Sequence, residues 1–199
     1  MSEEEICSWL TKQLRLYIPV SDQDAINIAS SFNCRIVYKG EYLLKEGQYG
    51  DWWGFVYKGL FRSYSCDVRG NEYTNSFLRE GSFTCELVSF HGGTVSQTNV
   101  VALEDTTLLY VNKKSLNLLF KNFSEFEKFG RLLYEKVLVN YKQHNLFRVR
   151  LNAGERYLHF LKSEPELIKR VPLKYIASYL SVTDSSLSRI RRKTRQADL

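Results

Sequence analysis

The stretch from Cys34 to about Asn112 constrains the fold most, because it alternates short apolar segments with glycines and contains no proline. The segments are rich in Val, Phe, Tyr and Thr, which fit a pleated, half-buried surface. The runs WGFVYKGLFRSYS and NEYTNSFL have the pattern of strands, and the turn DVRGN joins them. Strands without proline pair without losing backbone donors. Regular punctuation of this kind predicts a closed antiparallel β-structure of the jelly-roll type.

Helical patterns flank this stretch. Before it, apolar residues recur every three or four positions from Ile6 to Tyr17. After it, residues 124–151 carry two apolar stripes, one of Phe126, Phe129, Leu133, Val137 and Tyr141 and one of Leu132, Val139 and Leu146. We expect the first stripe to cover the β-structure and the second, at heptad spacing, to pair with a second copy of the chain. The alternative, a helix buried within a monomer, stays open.

The segment IASYLSVTDSSLSRIRRK predicts a helix-turn-helix near the C-terminus. Ile176, Ala177 and Leu180 mark the inner face of a first helix, and Thr183 is a good N-cap for a second. Leu187 and Ile190 then form the inner face of that second helix. Ser181 occupies a turn position where such motifs commonly have glycine.

The outer face of the second helix combines short hydroxyls with arginines, which suits entry into the major groove of DNA. Ten basic and five acidic residues lie from Leu151 onward, so this end supplies five of the chain's six net positive charges. For Asp184, contact with a base and stabilisation of the helix dipole stay equally open. The candidate DNA-binding residues are Thr183, Asp184, Ser185, Ser188, Arg189, Arg191, Arg192 and Lys193.

Other classes of function find little support. The histidines and cysteines are scattered, so we expect neither a metal site nor catalytic residues, and hence no enzyme. The opening MSEEEICSWL is acidic and no segment has the length and apolarity of a membrane span. A cytoplasmic protein with reduced thiols is therefore expected.

A β-roll, a long apolar helix and a helix-turn-helix, in that order, resemble the Crp/Fnr family of bacterial transcription regulators. The best local matches are KGEYLLKEGQYGDWWGFVYKGLFRSY, FLREGSFTCELVSF and VPLKYIASYLSVTDSSLSRIRRK. The resemblance implies an α+β fold with an antiparallel, cyclic-nucleotide-binding-domain-like β-roll in residues 1–122, a long dimerisation helix in 123–151 and a DNA-binding domain in 152–199. It also implies a homodimer on double-stranded DNA, with recognition helices about 34 Å apart, and RNA polymerase as a further candidate partner.

The ligand cassette departs from the family pattern. The resemblance places the candidate ligand pocket at Glu86, Leu87, Ser96 and Gln97, where nucleotide-binding members have an Arg-Ser pair in the last two positions. A buried phosphate without a cation is poorly compensated, so we expect cyclic AMP not to bind in the usual way. Another small effector, or none, remains open. Glu86 is expected instead to cap a short helix that follows it.

The DNA reader departs as well. The resemblance gives base-reading places to Asp184, Ser185 and Arg189, of which only the arginine matches the cyclic-AMP receptor protein. The family's usual β-hairpin wing does not fit in KTRQADL, which leaves phosphate contacts to Arg191, Arg192, Lys193 and Arg195. The rival hypothesis is a ligand-binding or protein-interaction module whose terminal helices serve assembly and not DNA.

Overall fold

A computed structural model describes residues 2–197, with all their side chains except those of Glu3 and residues 195–197. The helices are α1 (Glu3–Arg15), α2 (Asp22–Ala29), α3 (Leu87–Gly92), α4 (Lys113–Asn122), α5 (Ser124–Arg150), α6 (Ala153–Ser163), α7 (Leu167–Arg170), α8 (Leu173–Tyr179) and α9 (Asp184–Ala197). The strands are β1 (Asn33–Val37), β2 (Tyr42–Leu44), β3 (Trp52–Lys58), β4 (Phe61–Cys66), β5 (Glu72–Leu78), β6 (Phe83–Cys85), β7 (Asn99–Ala102) and β8 (Thr106–Asn112).

The strands form two four-stranded sheets, in the orders β1-β8-β3-β6 and β2-β7-β4-β5. β3 lies between β8 and β6, antiparallel to both. Gly59 divides the run WGFVYKGLFRSYS into two strands, because its φ is +97° and a Cβ there would lie 2.6 Å from the carbonyl oxygen of Asp105. The predicted antiparallel jelly-roll, with helices after it, is confirmed.

Strand β3 is apolar on both faces because each face enters a different core. Trp52 and Val56 pack with residues of both sheets, including Phe61 and Leu108. Trp53 and Phe55 point the opposite way, as successive strand residues must, into a second core shared with the helices. Trp53 is completely buried there, with its ring 5.0–6.4 Å from those of Phe32, Phe55, Phe83, Phe120, Phe126 and Phe129.

Helix α5 anchors only its first half in this helical core. Phe126, Phe129 and Leu133 are buried, as the first predicted stripe requires. The expectation that this stripe stays covered as far as Tyr141 is wrong, because the Tyr141 side chain is 66% exposed. The residues of α5 that pack in this core end at Tyr134, so Tyr141 lies beyond it.

By its internal packing the chain divides into two compact units. Unit 1 comprises the chain up to Arg62 together with Leu78–Leu138. Unit 2 comprises Ser63–Phe77, which is the outer part of the β4–β5 hairpin, together with the chain from Val139 onward. The predicted domain bounds, 1–122, 123–151 and 152–199, stay a prediction.

Candidate nucleic-acid interface and effector site

Helices α8 and α9 form the helix-turn-helix, and Ser181 makes the turn between them. Ser181 has φ = +55°, the left-handed conformation that glycine adopts most easily. It alone among the described non-glycine residues has a positive φ. The amide of Val182 then donates to the carbonyl of Ala177 at 3.0 Å, which reverses the chain after α8. The turn that the sequence pattern places at Ser181 therefore does require a left-handed backbone conformation.

The inner faces of the two helices follow the sequence pattern, except that Ile190 is only half-buried. Ile176, Ala177, Leu180 and Leu187 are each at most 4% exposed. Thr183 caps α9, because its hydroxyl oxygen accepts from the backbone amide of Ser186 at 3.2 Å. Ala177 is small and buried, as a close crossing of the two helices would require.

The outer face of α9 presents most of the candidate DNA-binding residues to solvent. Arg191 is half-buried, and the side chain of Arg195 lies outside the described residues. The exposed members are Thr183, Asp184, Ser185, Ser188, Arg189, Arg192 and Lys193. Buried apolar and exposed polar residues thus occupy opposite sides of one helix.

Arg189 lies along the surface of α9 and is not buried against the protein. Its Nε donates to the carbonyl oxygen of Ser185 at 3.3 Å, one helical turn earlier. The guanidinium also approaches the Ser186 hydroxyl at 3.5 Å, a marginal distance for a hydrogen bond. Neither contact uses a charged partner, so the positive charge of Arg189 stays available for phosphate or a base edge.

Glu86 directly precedes α3, but its side chain makes no capping hydrogen bond. The expected capping role is therefore wrong. The carboxylate instead accepts from the hydroxyl of Thr98, with Oε2 and Oγ1 2.6 Å apart. Gly50 lies against this site, because a Cβ at Gly50 would be 2.8 Å from the Cβ of Glu86.

The other candidate pocket residues differ in exposure. Ser96 is buried, and its hydroxyl donates to the carbonyl of Thr98 and accepts from the amide of Thr98, both at 3.0 Å. Leu87 is half-buried and Gln97 is exposed. The structure thus brings Glu86 and Ser96 together through Thr98. Sequence reasoning missed Thr98. Its hydroxyl is close to Ser96 in the sequence, but no local pattern indicates that it binds Glu86, 12 residues earlier.

The carboxylate of Glu86 forms no ion pair with any of the described residues. Residues 86–98 contain no Lys or Arg. Lys113 donates to the carbonyl of Phe90 at 2.6 Å, and the ring of His91 is hydrogen-bonded to the hydroxyl of Tyr134 at 2.9 Å. Partial burial and, to a lesser extent, Lys113 lower the pKa of His91, which favours its neutral form.

The thiol beside this site is not activated. Burial, reinforced by the charge of Glu86, raises the pKa of Cys85 far above its ordinary value. Among residues 2–197, no group of three or more His, Cys, Asp or Glu side chains could hold a metal ion. The helices of the described part also include none that is long and apolar enough to cross a membrane.

The β-roll region of the chain matches a known family of domains. Residues 34–123 match the family model of the cyclic nucleotide-binding domain. No curated protein matches the sequence significantly.

Solved structures extend the likeness beyond those residues. FixK2 from Bradyrhizobium japonicum is 20% identical, with a TM-score of 0.71 over 84% of this chain and 86% of its own. The c-di-GMP-responsive global regulator CLP of Xanthomonas campestris is 17% identical, with a TM-score of 0.68 over 90% and 94%. The catabolite activator protein of Thermus thermophilus is 18% identical, with a TM-score of 0.56 over 92% and 87%.

Identities this low show the fold alone, and that fold extends through the helices after the β-roll. The resemblance expected from the sequence is confirmed. Residues 34–123 therefore form a cyclic nucleotide-binding-type domain, within a chain that has the fold of the Crp/Fnr-type regulators.

Proposed function

We propose that this protein is a sequence-specific DNA-binding transcription regulator that acts as a homodimer. The proposal rests mainly on helix α9, which is buried on one side and exposed and polar on the other. Leu187 anchors the helix in the helix-turn-helix core at 1% exposure, while Ser185, Ser188 and Arg189 face solvent. Short hydroxyls allow close approach to a groove, and arginine recognises guanine through O6 and N7 or binds phosphate.

The charge of this helix supports the same conclusion. Arg191, Arg192 and Lys193 follow Arg189 directly along α9 and have no acidic residue among them. Such a cluster attracts the phosphate backbone independently of sequence and holds the helix in register. These three residues are the ones we assign to the DNA phosphates, beside the groove-facing Ser185, Ser188 and Arg189.

An exposed apolar surface on α5 supports the homodimer. Leu138, Val139, Leu146 and Val149 lie on the second half of the helix, and Val139 and Val149 are 52% and 85% exposed. Val139 and Leu146 are seven residues apart, so they recur on one side of the helix. A two-fold partner that contributes the same helix would remove these side chains from water.

The β-roll supports a regulator whose domain does not bind cyclic AMP in the usual way. Glu86 has Thr98 as a partner, and Ser96 stands where nucleotide-binding relatives of this fold would place an arginine. A cyclic phosphate entering here would be desolvated without a matching cation, which is costly. Any effector of this protein would carry less negative charge than a cyclic phosphate on the group that lies near Ser96.

A partner role for RNA polymerase and a cytoplasmic location both follow from the proposed function, and both remain predictions. The helices would read DNA in the compartment where transcription occurs. The competing hypothesis is that the terminal helices serve assembly.

A binding titration at several salt concentrations tests the proposal. The protein is titrated against a duplex selected from a random pool and, as the reference, against an unselected duplex. The salt concentration is varied from about 50 to about 300 mM, a range over which counterion release changes affinity by orders of magnitude. We expect the affinity for both duplexes to fall steeply as the salt concentration rises. We also expect the selected duplex to bind more tightly than the unselected one at each salt concentration. Absence of binding to any duplex at the lowest salt concentration would favour the assembly hypothesis.

The variant Arg189→Ala separates base reading from general attraction. We expect a loss of about 1–3 kcal/mol on the selected duplex and a much smaller loss on the unselected one. Lys162→Ala is the matched control, because Lys162 is an exposed cation on α6, outside the proposed interface. Equal losses on both duplexes would show that Arg189 contacts phosphate only.

A further inference from the structure

The free edge of strand β5 is bound by a side chain of the helix-turn-helix. β5 stands last in its sheet, so one row of its backbone groups has no neighbouring strand. The amide of Thr74 donates to the hydroxyl oxygen of Ser178 at 2.8 Å. The same hydroxyl donates to the carbonyl of Glu72, also at 2.8 Å. A single serine of α8 therefore pairs one donor and one acceptor of the edge.

Aromatic packing reinforces these hydrogen bonds. The ring of Phe77, on β5, lies 5.4 Å from that of Tyr179 and 6.4 Å from that of Phe160. Tyr179 and Phe160 are themselves 5.5 Å apart, so the three rings form one cluster. Burial raises the pKa of Tyr179, as expected for a phenol withdrawn from water.

The hairpin that offers this edge is braced at its tip. Asp67 accepts hydrogen bonds from the amides of Arg69 and Asn71, from the side-chain amide of Asn71 and from the hydroxyl of Tyr73. Gly70, with φ = +80°, completes the turn. A turn with this many internal bonds has few alternative conformations, so the β4–β5 hairpin is a firm support for whatever packs on it.

Helix α8 has this hairpin on one side and α9 on the other. Ser178 and Tyr179 contact the hairpin, while Ile176, Ala177 and Leu180 lie in the core with Leu187 of α9. The orientation of α9 is thus tied through α8 to strand β5. β5 itself lies within residues 34–123, which match the cyclic nucleotide-binding domain.

We infer that Ser178 is a positioning residue for DNA recognition, which holds α8 on the edge of β5 and so presents the face of α9 in one fixed orientation. This inference rests on the proposed function. Ser178 would contact no nucleotide. Its hydroxyl limits the motion of the helix-turn-helix, and a shift of β5 would reach the recognition helix through the same two hydrogen bonds.

The variant Ser178→Ala in the full chain tests this role by two measurements. Amide hydrogen exchange should show faster exchange at Thr74, whose hydrogen bond to Ser178 is lost, with little change at amides of the helical core. The dissociation constant for the selected duplex should rise about 2- to 13-fold, the fold-change of one net hydrogen bond. Binding to the unselected duplex and its salt dependence should stay unchanged, because electrostatic attraction tolerates many orientations.

Two further variants control for structural damage. Ser163→Ala removes a comparable exposed hydroxyl in the same unit, which donates to the carbonyl of His159, and should leave duplex binding unchanged. Phe77→Leu weakens the aromatic half of the same contact and should reproduce the selective loss. It also tests the inference if Ser178→Ala does not fold.

The outcomes distinguish the inference from the proposed function. If the unmodified protein binds no duplex, the proposed function fails and the positioning role fails with it. If the unmodified protein binds, and Ser178→Ala binds each duplex as tightly as the unmodified protein does, only the positioning role is overturned. Tighter binding by Ser178→Ala would also overturn it, because the contact would then restrain the helix-turn-helix from binding.

Discussion

The carboxylate of Glu86 and the hydroxyl of Thr98 are joined by a 2.6 Å hydrogen bond at the N-terminal end of α3. This bond occupies the carboxylate of a residue that the resemblance places in the candidate ligand pocket. Ser96, which the resemblance aligns with an arginine of nucleotide-binding members, is buried and bonded to the same threonine. The carboxylate of Glu86 and the hydroxyl of Ser96 are therefore both hydrogen-bonded within the protein.

We expect cyclic AMP to leave the thermal stability of the protein unchanged, because the resemblance places Ser96, and not an arginine, where the phosphate would need a cation. A ligand present at a hundredfold excess over its dissociation constant would add about 2.7 kcal/mol to the free energy of unfolding. Differential scanning fluorimetry with millimolar cyclic AMP detects such a shift. A clear rise in Tm would contradict our interpretation of the cassette.

Replacing Thr98 by Val should lower the free energy of unfolding by about 1–2 kcal/mol, because the half-buried carboxylate of Glu86 loses its hydrogen-bond donor. Thr94→Val is the matched control: Thr94 is exposed, and its change should stay within about 0.5 kcal/mol. Urea denaturation followed by tryptophan fluorescence suits both variants, since Trp9, Trp52 and Trp53 all lie in unit 1. Equal effects of the two variants would show that the bond contributes nothing.

Ser181→Gly should raise stability by about 0.5–1 kcal/mol, because glycine adopts the left-handed conformation of this turn without steric strain. The gain is reduced by the greater freedom of glycine in the unfolded chain. Ser8→Gly, at an exposed position within α1, is the control and should lose about 0.5–1 kcal/mol. Circular dichroism at 222 nm during urea denaturation follows both. A destabilised Ser181→Gly would mean that the serine side chain contributes more than its backbone strain costs.

Val139→Glu combined with Leu146→Glu should convert a dimer to monomers, because each substitution places a charge in the proposed helix pair. Tyr141→Glu is the matched control, since Tyr141 is also exposed but lies on the opposite side of α5 from Val139. Sedimentation velocity at micromolar concentrations measures the outcome. If the native chain sediments as a monomer, the homodimer proposal is wrong.

Stability should fall as the pH drops below about 6.5, in part because of His144. Partial burial and, secondarily, Arg148 lower the pKa of His144 from its ordinary value of 6.5, and its ring stacks on Tyr179 with centroids 4.9 Å apart. The unfolded chain therefore binds a proton more readily than the folded one. The contribution to stability is complete above pH 6.5 and is lost as the pH falls through the folded pKa.

His144→Gln should weaken this dependence between pH 7 and 5. His159→Gln is the comparison, with its ring 4.4 Å from that of Phe147 in the same unit. Denaturation midpoints by circular dichroism at four pH values give the slopes. An unchanged slope in His144→Gln would exclude a contribution from this residue.

The local patterns of the sequence determined much of this fold. Glycines, β-branched residues and the absence of proline predicted the β-roll, because strand pairing depends on short-range backbone preferences. The spacing from Ile176 to Leu187 predicted the helix-turn-helix, and Thr183 and Ser181 are the cap and the turn residue that the pattern indicated. Each of these signals acts within a few residues, where side-chain type and backbone conformation are directly coupled.

Only the tertiary structure decided which distant side chains meet. Thr98 takes up the carboxylate of Glu86, and Ser178 binds the edge of a strand 104 residues earlier in the chain. The apolar stripe of α5 is buried at Leu133 but open at Tyr141, because cover depends on where the packing elements end. Periodicity shows which face of an element is apolar, but the identity of the group opposite that face depends on how the whole chain is folded.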